Sequence, residues 1–111
     1  MTKYEQMELA FFKVLKNCSS DGYFIKPHLM ERDYGVETRY VRERLIRWAD
    51  DGLISLDVYS PNGFRPYTDW QNTDDFFEQG NRVGHVRVKL LAAGDEHLEH
   101  LGEIVHKKIG F

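Results

Sequence analysis

The stretch "TRYVRERLIRWADDGLISLDV", residues 38–58, passes from a helical repeat to a strand repeat within a few residues. On a wheel of ~100° per residue, Thr38, Val41, Leu45 and Trp48 share one side of a helix spanning about 37–50. Arg39, Glu43 and Arg47 fall opposite, with Arg42 and Ile46 on one shoulder and Tyr40 and Arg44 on the other. Gly52 stands where a helix C-cap glycine belongs. Ile54, Leu56 and Val58 then alternate with Ser55, Asp57 and Tyr59, the period of a half-buried strand. A chain written this way must bury one helix stripe and one sheet face in a common core, so the expected class is α+β.

The flanks add the remaining elements. Tyr4, Met7, Phe11, Val14, Leu15 and Cys18 recur at three- and four-residue spacing, which predicts a first helix over about 4–17. The turn cluster Ser19-Ser20-Asp21-Gly22 ends it. Tyr23-Phe24-Ile25 reads as a brief strand, and Pro27 suits the start of a short second helix over about 28–33, with Leu29 and Met30 inward. Tyr34-Gly35 breaks that helix. Val86, Val88 and Leu90 alternate with His85, Arg87 and Lys89, so Asp57 can face Arg87 or Lys89 across an antiparallel pair. Between the strands, Ser60-Pro61-Asn62-Gly63 is a turn, 64–70 an edge segment limited by Pro66, and 72–77 a cap with one helical turn. Asp95 is the expected N-cap of a last helix, whose apolar stripe is Leu98, Leu101, Val105 and Ile109.

The 111 residues fit one domain, with a helical core and hairpin over 1–92 and a terminal helix over 93–111. A 41% hydrophobic and 14% aromatic composition can fill a core. The single cysteine, Cys18, allows no internal disulfide and points to the cytoplasm. "MTKYEQMELAFF" lacks the apolar run of a signal peptide, and no stretch reaches the ~20 apolar residues of a membrane span. The net charge of −3 argues against bulk coating of nucleic acid. Residues 23–47 nevertheless hold six Lys/Arg and four Asp/Glu, a local excess of two positive charges.

"KPHLMERDYGVETRYVRERLIRWADDGLI" supplies a short helix, a glycine turn and a helix with a polar face, the parts of a helix-turn-helix in order. Together with "VRVKLLAAGDEHLEHL", it resembles the winged-helix domain of small bacterial and phage-type transcriptional regulators, over about 23–101. The resemblance implies a recognition helix in the DNA major groove and a β-hairpin wing at the backbone. Carried onto this chain, it makes Thr38, Arg39, Arg42, Glu43 and Arg47 the DNA-facing positions, with Arg65 as a wing contact and Lys26 and His28 near phosphates. An arginine can grip a guanine edge bidentately or hold a phosphate; Glu43 can accept from cytosine or tether a neighbouring arginine.

Residues 68–79 depart from a DNA-binding wing, with Asp69, Asp74, Asp75 and Glu78 and no Lys or Arg. The alternative is a protein-interaction module that uses the acidic aromatic segment 64–79, with Phe64, Tyr67, Trp70, Phe76 and Phe77. The stripe Leu98/Leu101/Val105/Ile109 either packs on the first helix or forms a homodimer contact. No phosphate-cradling glycine loop, nucleophile motif or Cys/His metal framework is written in the chain, so no enzyme, cofactor or metal is expected. His97 and His100 lack a matching third ligand.

Overall fold

The computed structural model describes residues 2–18 and 21–108, with side chains through Gly102. It is an α+β arrangement of five α-helices and a four-stranded antiparallel sheet. Helix α1 (Lys3–Lys16) leads to β1 (Tyr23–Ile25), a single 3-10 turn (Pro27–Leu29), α2 (Met30–Tyr34) and α3 (Thr38–Asp50). The chain continues through β2 (Ile54–Ser60), β3 (Gly63–Pro66), a second 3-10 turn (Tyr67–Asp69), α4 (Thr73–Val83), β4 (Val86–Leu90) and α5 (Ala92–Lys108). No helix among the described residues is long and apolar enough to cross a membrane.

Local chemistry sets the boundaries. The Thr2 hydroxyl accepts the Glu5 N–H at 3.1 Å and the Glu5 carboxylate accepts the Thr2 N–H at 3.2 Å, a reciprocal cap that starts α1. Gly35, at φ +71°, closes α2 in the left-handed conformation and turns the chain into α3. Asn72 caps α4 by accepting the Asp75 N–H at 2.9 Å. The second helical segment is therefore a 3-10 turn joined to five α-helical residues, one residue longer at its end than the sequence predicts.

The sheet order is β1-β4-β2-β3. β4 pairs on one side with β1 (Phe24 opposite Arg87) and on the other with β2 (Asp57 opposite Arg87). β2 also pairs with β3, Tyr59 opposite Phe64. One face of this sheet supplies Ile25, Ile54, Leu56, Val58, Val86 and Val88 to the core. The helices supply Met7, Phe11, Leu15, Met30, Val41, Leu45 and Trp48. Trp48 is central, stacked on Phe11 at 5.3 Å and edge-on to Phe12 at 5.0 Å. Phe12 is fully buried although the α1 stripe omits it, while Val14, assigned to that stripe, is exposed.

The largest difference from expectation lies between the strands. Residues 73–83 form three helical turns rather than one. Phe76 and Phe77 are fully buried there and join the same core. Gly80 makes the fit: a Cβ on it would lie 2.5 Å from Val86 Cγ1 and 3.0 Å from Pro27 Cγ. Asp95 is not an N-cap. It sits inside α5 and its carboxylate pairs with Lys16, tying α5 to α1.

Candidate nucleic-acid interface

The five arginines singled out from the sequence divide by environment. Arg39 and Arg47 stand on the outward face of α3, with side chains 90% and 71% exposed. Each faces a carboxylate one helical turn on: Arg39 Nε lies 3.0 Å from Glu43 Oε1, and Arg47 Nε 3.6 Å from Asp51 Oδ2. Glu43 is therefore held as the tether of Arg39. Exposed pairs at this spacing are worth only ~0.3–0.5 kcal/mol, so an incoming phosphate can displace them.

Arg42 is different, and its outward placement needs correcting. Its side chain is 22% exposed, with the guanidinium 5.0 Å from the centre of the Phe77 ring and 3.8 Å from Asp74. The shoulder that a wheel leaves open is occupied by α4. Arg44, on the other shoulder, lies over the Trp48 ring at 5.4 Å and within 3.4 Å of the Glu8 carboxylate. Both long side chains cover apolar surface with their stems and guanidinium planes rather than reaching fully into solvent. Thr38 is half-buried at the start of α3.

Arg65 lies on the edge strand β3. Its Nε is 3.0 Å from Asp69 Oδ2 and its guanidinium stands 5.3 Å from the Trp70 ring. It is turned toward the segment that follows, not free at a hairpin tip. A groove of about 730 Å³ runs between α3 and the start of α4, lined by Arg39, Arg42 and Ile46 on one side and Thr73 and Asp74 on the other. Sequence reasoning missed Thr73 and the fact that Asp74 flanks α3, because both contacts depend on where the insertion folds back.

Electrostatics around α3 are nearly balanced. Glu37, at the head of the helix, accepts the Tyr4 hydroxyl at 3.0 Å and faces Lys3 at 3.6 Å. Backbone and side-chain hydrogen bonds hold its carboxyl below the usual range. At the other end, the Tyr67 hydroxyl donates to Asp50. Burial and that carboxylate push the Tyr67 phenol up to about 12.

The other sequence candidates are dispersed. Phe76 and Phe77 are core residues, so they leave the proposed interaction segment 64–79; Phe64, Tyr67 and Trp70 keep some exposure. Leu98 and Leu101 pack against the chain's own core, which commits that half of the stripe internally. The Val105 side chain and Ile109 lie outside the described residues. His97 is paired with Glu8 at 3.2 Å and edge-on to Phe12. Among the described residues, no group of three His, Cys, Asp or Glu side chains is placed to hold a metal. No protein-family model, curated protein or solved structure matches the chain.

Proposed function

We propose that this chain is a winged-helix DNA-binding protein, a cytoplasmic transcriptional regulator that reads duplex DNA with α3. The order of elements supports the reading: a short α2, a left-handed Gly35 turn, α3, then antiparallel strands. The carrying observation is the exposure of Arg39 and Arg47 on one face of α3, each paired with a carboxylate four residues on, Glu43 in the helix and Asp51 at its C-cap, in a weak exposed pair. Their spacing of eight residues is ~12 Å along the helix. Guanidiniums so placed can hold phosphates or reach guanine edges in a major groove ~12 Å wide. Thr38 and the helix start add polar contacts, whereas Arg42, Arg44 and Arg65 serve the fold.

The test is a gel shift against random-sequence duplex DNA at two salt concentrations. Binding that weakens steeply with salt, and is abolished in the Arg39→Ala/Arg47→Ala double variant, supports the reading. Salt-insensitive or absent binding overturns it.

A second reading has its own observation. Asp51 and Glu43 neutralise the outward face of α3, and Asp74 and Asp75 start α4 beside it. This favours a protein-interaction module that uses Tyr67 and Trp70 beside Phe76 of α4, with Phe64 on the adjoining edge strand. Substitution of those rings would then remove partner binding while the arginine pair stays silent.

A further inference from the structure

The face of the sheet turned away from the core carries a regular grid of side chains. Strand alternation puts Gly22, Phe24 and Lys26 there from β1 and its flanks, and His85, Arg87 and Lys89 from β4 and the residue before it. Ser55, Asp57 and Tyr59 come from β2, and Phe64 and Pro66 from β3. Three of the most exposed large side chains of the described chain lie on this one face: Phe24 at 45%, Tyr59 at 49% and Phe64 at 41%.

The rings are held rather than loose. Tyr59 and Phe64 meet edge to face at 5.8 Å, and Phe24 meets His85 at 4.7 Å. Arg87 is gripped by Asp57 through two 2.8 Å bonds, and its guanidinium lies 3.5 Å from the Phe64 ring centre. The stems of Arg87 and Lys89 lie across Gly22, where a Cβ would come within 3.1 Å of Arg87 Cγ and 3.0 Å of Lys89 Cγ.

We infer that this face is a stacking platform for single-stranded DNA, with Phe24 and Tyr59 taking bases and Lys26 and Lys89 facing phosphates. Charge complementarity chooses the occupant. With Arg87 and Asp57 neutralising each other, Lys26 and Lys89 meet Asp21 at the rim, leaving a positive surplus on a chain whose net charge is −3. Phe24 and Tyr59 are two strands apart and offset by two residues along them, ~12 Å, because Arg87 pairs with Phe24 on one side and with Asp57 on the other. A flexible single strand can set bases on both rings and its phosphates beside the two lysines. A second copy would fit poorly, because it would strip water from Lys26 and Lys89 while its own Asp57 is already committed to Arg87. The platform is independent of α3, which lies on the opposite side of the sheet.

The experiment is fluorescence anisotropy with labelled oligo(dT) of about 15 nucleotides, within the range a sheet platform covers. Random duplex DNA serves as a parallel arm. The expected result is salt-sensitive binding of the single strand by the whole chain, weakened tenfold or more by Phe24→Ala or Tyr59→Ala and retained by Phe24→Tyr. Arg39→Ala/Arg47→Ala should leave this binding unchanged and abolish only the duplex arm, which separates failure of one reading from failure of the other. Unaltered circular dichroism of the ring variants confirms that they fold. Absence of single-strand binding at low salt, or binding indifferent to both ring variants, overturns the platform. So does a wild-type dimer that these variants convert to monomer without any oligo(dT) binding.

Discussion

The Arg42 guanidinium stands 5.0 Å from the centre of the Phe77 ring, joining α3 to an element inserted between two strands. Phe77 is fully buried at that junction. Phe77→Ala should therefore destabilise the fold by ~3–5 kcal/mol. Arg42→Ala should remove the cation–ring attraction and the cover its stem provides, ~0.5–2 kcal/mol. Urea denaturation checks both, and equal stability of Arg42→Ala and wild type would refute the packing role given to Arg42.

The arginines should separate by assay. Arg39→Ala and Arg47→Ala are surface changes, each within ~0.5 kcal/mol of wild-type stability. Each should reduce the dependence of log affinity for duplex DNA on log salt by ~0.9 for every phosphate that the arginine neutralises. Arg44→Ala should do the reverse, lowering stability through Glu8 and Trp48 while leaving DNA affinity close to wild type. Parallel melting and gel-shift measurements decide it.

Glycine 80 gives a test in sign. Helix propensity alone says that Gly80→Ala inside α4 should stabilise by ~0.8–1.0 kcal/mol. Contacts at 2.5 Å to Val86 and 3.0 Å to Pro27 say that it should destabilise, by ~1–3 kcal/mol. We expect the second. Gly94→Ala should be worse, because the new Cβ would lie 2.1 Å from the Leu53 carbonyl oxygen, which is backbone.

Alkaline pH should unfold the protein through its tyrosines. The Tyr67 phenol, pushed up to about 12 from 10.0, keeps its proton in the fold after the unfolded chain has released it. Its contribution is complete below pH 10 and is lost as the pH rises toward 12. Tyr34, half-buried and donating its hydroxyl to Tyr23, is raised in the same direction. Tyr67→Phe should lower stability at neutral pH by ~1 kcal/mol and flatten the alkaline decline. Chemical denaturation at pH 9, 10 and 11 measures the slope.

The elements with uninterrupted periodicity were legible from the chain alone. Val41, Leu45 and Trp48 are buried as the wheel requires, and Asp57 meets Arg87 across the strands as alternation allows. Of the insertion, the turn at 60–63, the edge strand ending at Pro66 and the Asn72 cap were legible, and the length of α4 was not. Only the approach of Val86 and Pro27 shows why α4 needs Gly80. The same blindness misplaced Arg42, since a helical wheel has no knowledge of what a distant segment lays against its shoulder. The outer sheet face depends on strand order, which no local pattern encodes: Phe24 and Phe64 share a face only because β1 and β3 flank the β4–β2 pair.

That strand order also governs how the chain must be made. β4 lies between β1 and β2, yet it is the last of the four to leave the ribosome. Until it does, β1 lacks its ladder partner among the described strands, and of the ladders they form a nascent chain can close β2–β3 alone. A translational stall after α4 would hold the growing protein in that half-zipped state, with Ile25, Leu56 and Val58 still in search of cover.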